Sequence, residues 1–236
     1  MIFPVRRHEG GTIHTHQLKK FYYLTNNIYV ARFKTEVSIL QDLQGHPNIV
    51  QILEPEIDES QKKFNYLMPL LETDLKKYIE KNNSKNELTV EKRLEIFTQI
   101  LSAMKFAHEN GKWNRDLSPN NILLDENQHV YVCDFGLGKD YKEMHSQGYS
   151  SVSGYGTWDY IAPEQRAKLK DATEKSDIYS LGRLLYFILT GKVPNTNYKA
   201  AGVFELLIKK ATEEDPKDRY ENMTLLEEEY FKLLSE

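Results

Sequence analysis

The sequence predicts an α+β fold of two unequal lobes, a small reduced β-rich one followed by a larger, mainly α-helical one. Three observations lead there. Short apolar, β-branched and aromatic stretches crowd residues 1–68, segments with helical spacing dominate 73–236, and Pro69-Leu70-Leu71-Glu72 between them reads as a hinge over 69–72. The 236 residues form one domain, and 40% apolar side chains are enough to build a core without covalent staples.

Within 11–33, Gly11-Thr12-Ile13-His14-Thr15-His16 and Phe21-Tyr22-Tyr23 follow a Glu9-Gly10-Gly11 turn, the pattern of strand. From Arg32 onward Phe33, Val37, Leu40 and Leu43 recur at helical intervals until Gly45-His46-Pro47 ends the run. Segments 49–53 and 64–68 read as two further strands. Helices are expected over 73–80, over 90–109 with Asn110-Gly111 as the stop, over 177–189 with Gly191 as the stop, and near Phe204 and Leu225. Residues 142–156, rich in Ser, Gly and Tyr, are too polar to pack and read as an exposed loop.

Charge and cysteine content narrow the function classes. Thirty-one basic against 35 acidic residues give a net charge of -4, which excludes a general binder of nucleic acid or of anionic membranes, because such partners demand concentrated Lys and Arg. The one cysteine, Cys133, makes no internal disulfide, and Met1-Ile2-Phe3-Pro4-Val5-Arg6-Arg7 lacks the apolar core of a secretion signal. With no run long enough to cross a bilayer, the expected location is cytoplasmic.

The densest chemical signal is Asn114-Arg115-Asp116-Leu117-Ser118-Pro119-Asn120-Asn121, followed by Asp134-Phe135-Gly136 and then Ala162-Pro163-Glu164. These three strings, in this order and with Asp177-Ile178-Tyr179-Ser180-Leu181-Gly182 beyond them, resemble the eukaryotic-type protein kinase superfamily: a catalytic loop, a metal-binding turn and the end of an activation segment. A lone Asp in such a string would more often cap a turn; its place ahead of Asn121 and Asp134 argues otherwise. The resemblance covers about residues 12 to 232 and is less specific after Gly191.

What the resemblance implies is phosphoryl transfer from ATP with Mg2+, chemistry that needs positioning and charge neutralisation more than covalent work. It makes Asp116 the base for an incoming hydroxyl, and Asn121 and Asp134 the holders of Mg2+. In the small lobe it makes Lys19 the phosphate-gripping strand lysine and Glu36 its helix partner. Lys20 is the rival, since a Lys-Lys pair is ordinarily solvated charge; strand parity groups Lys19 with Gln17 and Ile13. Gln17, Met68, Pro69, Leu71 and Leu123 are then the nucleotide-site residues, Met68 at the back, the chain after it offering backbone groups to adenine, and Leu123 below. Met68 and Leu123 also read as ordinary core.

Gly156-Thr157-Trp158-Asp159-Tyr160-Ile161-Ala162-Pro163-Glu164 resembles the serine/threonine branch, in which Thr157 would help position Asp116. Glu164 is the expected partner of Arg219, as a buried ion pair or a surface bridge. Arg115 would face a phosphorylated segment, making Ser146, Ser150, Ser151, Ser153 and Tyr155 candidate phosphosites.

The sequence also departs from the family. No Gly-rich loop precedes Lys19, as though the small lobe began at the family's second strand; Ser118 stands where a lysine is usual, Gln17 where a small residue is usual, and Asn114 where histidine is usual. The expectation is a minimal serine/threonine kinase acting on a protein substrate, with another segment or a partner covering the phosphates. The alternative is a catalytically silent kinase mimic that binds a kinase or its substrate. The retained Asp116, Asn121 and Asp134 favour the enzyme, because a binding module needs none of them.

Overall fold

The computed structural model describes residues 2–9, 12–22, 27–85, 87–135, 158–167, 172–194 and 198–235; for 2–9, 12–22, 27–29, Arg32 and Ala167 it describes the place in an element and not the side chain. The small lobe is a four-stranded antiparallel sheet of order β1-β2-β4-β3, made of β1 (Ile2–Glu9), β2 (Thr12–Tyr22), β3 (Leu53–Asp58) and β4 (Lys63–Pro69). One helix, α1 (Asn27–Asp42), packs on it through Phe33, Val37, Leu40 and Leu43, all buried. Those four positions recur at the spacing of one helix face.

Two small-lobe boundaries differ from the sequence expectation, and in the large lobe the helix expected over 73–80 starts at Leu75, after a short strand at Thr73–Asp74. Helix α1 begins at Asn27 and takes in Ile28, Tyr29 and Val30, whose β-branched and aromatic side chains read as strand. The strand expected over 49–53 lies instead at Leu53–Asp58. Residues 48–50 are fully occupied elsewhere: Val132 N donates to Asn48 O at 2.8 Å, Val50 N donates to Val132 O at 3.0 Å, and Ile49 forms an isolated parallel bridge with Val132. The apolar run is therefore a stitch from the small lobe onto the large one.

The large lobe is helical, as expected, with α2 (Leu75–Lys85), α3 (Val90–Glu109), α4 (Pro163–Ala167), α5 (Glu174–Thr190), α6 (Glu205–Ala211) and α7 (Met223–Leu234). A three-stranded sheet of order β5-β6-β7 comprises Thr73–Asp74, Ile122–Leu124 and Val130–Val132. Helix α3 starts where Thr89 accepts from Lys92 N at 3.3 Å. Helix α5 opens with a capping box between Thr173 and Ser176 and closes at Gly191, whose φ of 67° is left-handed.

Helix α5 is the centre of this lobe, buried from Ser176 through Ile188. At Gly182 the absence of a side chain lets α6 approach: a Cβ there would lie 2.8 Å from both Ala211 Cβ and Thr212 Cγ2. A continuous core joins the lobes, running from Phe33 and Tyr66 through Met68 and Val132 to Leu101, Ile178 and Tyr230. No helix among the described residues is long and apolar enough to cross a membrane.

Candidate active site

The hairpin β6–β7 brings the predicted metal ligands together. Its pairing Ile122↔Val132 puts Asn121 and Cys133 at the same open end, where Cys133 N donates to Asn121 O at 3.0 Å and Asp134 follows immediately. Phe135, fully buried, anchors the next residue in the core. On the other side Asn121 reaches the predicted base: its Nδ2 donates to Asp116 Oδ2 at 3.0 Å and to Asp116 O at 2.8 Å. Asp116 is only 3% exposed, so this amide supplies part of the hydrogen bonding a buried carboxylate requires.

Asn114 joins the two halves. Its Oδ1 accepts from Asp116 N at 3.1 Å, and its Nδ2 donates to Cys133 O at 3.2 Å and Asp134 O at 3.4 Å. Asn114 thus supplies both an acceptor for the Asp116 backbone and a donor to the carbonyls of Cys133 and Asp134. The loop pays a conformational cost, for Arg115 and Asp134 both sit at left-handed φ, 64° and 56°. Asp tolerates that region better than Arg does.

What holds Arg115 there is Asp177 of α5, whose Oδ2 accepts from Asn114 N and Oδ1 from Arg115 N, both at 2.8 Å. Gln165 Nε2 adds a bond to Arg115 O at 2.9 Å, and His108 Nε2 lies 2.9 Å from Asp177 Oδ2. Sequence reasoning placed Asp177 in a motif without giving it a task, and it passed over His108. The available signal was an acidic residue inside a strongly apolar helix, where burial is tolerated only with donors at hand.

In the small lobe Glu36 is completely buried on α1 and accepts from the Tyr66 hydroxyl at 2.8 Å. The β2–β4 register sets Gln17 opposite Pro69, Leu18 opposite Met68, Lys19 opposite Leu67 and Lys20 opposite Tyr66. Opposed residues of an antiparallel pair share a face. By register, then, Lys20 occupies the position beside the Tyr66–Glu36 contact, and the choice between the two lysines is reopened. Met68 belongs to the core, with Leu71 and Leu123 packed against it; β4 runs on through Pro69, and Glu72 N donates to Leu124 O at 2.9 Å.

Glu164 and Arg219 form the buried pair rather than the surface one. Arg219 Nη1 meets Glu164 Oε1 at 2.7 Å and Nη2 meets Oε2 at 2.8 Å, with the Arg219 side chain wholly buried. Ser176, already part of the α5 capping box, donates to Glu164 Oε1 at 2.8 Å. Burial pushes the Glu164 carboxyl up, but the Arg219 hydrogen bond, its own backbone amide and the Arg219 charge outweigh it and leave it below the ordinary carboxylate value.

Ser118 is fully buried, and its Oγ has no hydrogen-bond partner among the described residues. Arg115 stacks over Trp113 at 5.3 Å and, with Lys34 and Lys112, lines a cavity of about 510 Å³ between α1 and the 111–115 loop. Gly136, Thr157 and the candidate phosphosites Ser146, Ser150, Ser151, Ser153 and Tyr155 lie outside the described residues, as do the side chains of Lys19 and Gln17.

The donor set suits a hard cation. Because Asn121 spends its Nδ2 on Asp116, its amide oxygen is the group left for a cation, and Asp134 supplies a carboxylate. Among the described residues no group of three His, Cys, Asp or Glu side chains could hold a metal by itself.

Comparison with known proteins gives one family over most of the chain: residues 16–236 match the protein kinase domain. The chain is 34% identical over 218 residues to "Probable serine/threonine-protein kinase PknB" of Lactococcus lactis subsp. lactis (strain IL1403), covering 83% of this chain and 33% of that protein. It is 33% identical over 228 residues to "Serine/threonine-protein kinase PrkC" of Bacillus subtilis (strain 168), covering 87% and 34%. To "CBL-interacting serine/threonine-protein kinase 12" of Arabidopsis thaliana it is 29% identical over 222 residues, covering 86% and 44%. The chain spans about a third of the length of the first two relatives.

Proposed function

The chain belongs to the protein kinase family, and from that premise we propose that it transfers the γ-phosphate of ATP to a serine or threonine hydroxyl of a protein substrate. The observation that carries this reading is the hydrogen-bonded pair of Asp116 and Asn121 at the hairpin end from which Asp134 also projects its backbone. Asp116 accepts the proton of the substrate hydroxyl as its oxygen attacks the γ-phosphorus; the bridging bond to the β-phosphate breaks and ADP leaves with that electron pair. Asn121 Nδ2 donates to one Asp116 oxygen, which holds the carboxylate in place for that transfer. Mg2+, when bound through Asn121 and Asp134, neutralises phosphate charge.

Lys19, with Lys20 as rival, grips the phosphates and pairs with Glu36. Gln17, Met68, Pro69, Leu71 and Leu123 enclose the adenine, and Thr157 supports Asp116. A partner or another segment covers the phosphates in place of a Gly-rich loop. Arg115 lines a pocket with Lys34 and Lys112, which pair with Glu59 and Asp42, and is the cation that would meet a phosphate on the 142–156 segment.

Purified protein with Mg2+ and radiolabelled ATP, tested beside Asp116→Ala, Lys19→Met and Lys20→Met, decides the matter. Label should pass to the protein itself or to a generic basic substrate and vanish in Asp116→Ala. Only one of the two lysine variants should lose transfer as well. Absence of transfer in the unsubstituted chain, together with no ATP binding, selects the silent mimic.

A further inference from the structure

One buried hydroxyl in the small lobe has no task in the reading above. Tyr66 lies on β4, 1% exposed, and donates to Glu36 Oε1 at 2.8 Å; Glu36 itself is 0% exposed. The Tyr66 ring also stacks on Phe33 of the same helix, with centroids 5.9 Å apart and planes 16° from parallel. Phe33 and Glu36 sit three residues apart on α1, on one face. A single side chain therefore grips one turn of α1 twice, by its ring and by its oxygen.

Packing alone does not ask for that oxygen. Phenylalanine would fill the same space, stack on Phe33 equally well, and cost less to bury. The hydroxyl serves the carboxylate, which in an apolar core needs donors directed at it. The bond also limits rotation of α1, because a helix held at two points on one turn cannot roll without breaking one of them.

We propose that Tyr66 is a positioning residue whose hydroxyl holds Glu36, and with it helix α1, in the orientation from which Glu36 pairs with the phosphate-gripping lysine. This rests on the phosphotransfer reading and deepens it. Tyr66 touches neither nucleotide nor acceptor; it acts through Glu36. The consequence is a helix set before nucleotide arrives, instead of one drawn into place by it.

The test uses the full chain and Tyr66→Phe, which removes one oxygen and keeps the ring. Hydrogen exchange of α1 amides is measured first, then label transfer across ATP concentrations. Exchange in the Phe33–Leu40 turn should quicken about tenfold. The KM for ATP should rise about three- to tenfold with kcat within about twofold, the split expected when lysine placement is lost and the base is untouched. In a Glu36→Gln background the same substitution should leave KM unchanged, because the two residues act as a unit. Unchanged exchange and KM in Tyr66→Phe overturn the proposal, as does an equal KM rise in the Glu36→Gln background, which would mark a packing effect. Should the unsubstituted chain neither bind ATP nor transfer label, the phosphotransfer reading fails separately. The α1 exchange then decides by itself, quickened supporting the clamp and unchanged removing it.

Discussion

Replacing Glu164 by glutamine separates two effects that coincide at one carboxylate. Its folded value is depressed below the ordinary 4.5, so its contribution to stability is complete above that value and is lost as pH falls through the folded one. Glu164→Gln should therefore lower stability at pH 7 and flatten the acid side of the stability profile, both read by urea unfolding across pH. We expect a loss of about 3 kcal/mol at neutral pH, near the low end for breaking a buried pair. The low end applies because Arg219 keeps Glu213 O, Lys175 O and Glu214 O as acceptors. At this scale two large-lobe contacts were legible: the ordered strings that hold Asp116 and Asn121 come together in a hydrogen bond, and Glu164 meets Arg219 as a buried pair. Tyr66 and His108 were not, since each reads as an ordinary core residue, and their partners lie far along the chain at Glu36 and Asp177.

Among the elements, the end of α5 offers a controlled comparison. Gly191 and Gly111 share nearly the same left-handed φ, 67° and 66°, so alanine pays the same backbone penalty of about 1 kcal/mol at either position. Their surroundings differ: among the described residues a Cβ at Gly111 meets nothing within 4 Å, whereas at Gly191 it would lie 1.6 Å from Asn83 Nδ2. Asn83 is not free to step aside, because Arg93 donates to its Oδ1. Gly191→Ala should cost about 1 kcal/mol more than Gly111→Ala in chemical unfolding, and adding Asn83→Ala should recover the excess. Both glycine stops were legible because a helix end needs that residue. The shift of the strand from 49–53 to Leu53–Asp58 was not: β3 is an edge strand with polar residues and a register irregularity, and the apolar run beside it is consumed by the stitch to Val132.

For the whole molecule, the continuous core means that the proposed nucleotide binding would stabilise both lobes. Saturating ATP and Mg2+ at about a hundredfold over Kd should raise unfolding free energy by about 2.7 kcal/mol, read as an upward thermal shift. Asp134→Asn should remove the part of that shift that depends on Mg2+ while leaving the protein folded. The two-lobe architecture was legible in the change from short strand-like runs to long periodic ones. The common core was not, since it depends on contacts such as Val50 with Val132 that join segments far apart in the chain.

The two oxygens of Asp177 have a consequence for anyone who would graft this chemistry elsewhere. Residues 114–121 look like a portable cassette, yet the bend at Arg115 is imprinted by a carboxylate borne on a different helix. Transplanted without α5, the cassette would relax at Arg115 and carry Asp116 out of alignment; loop and helix travel together or not at all.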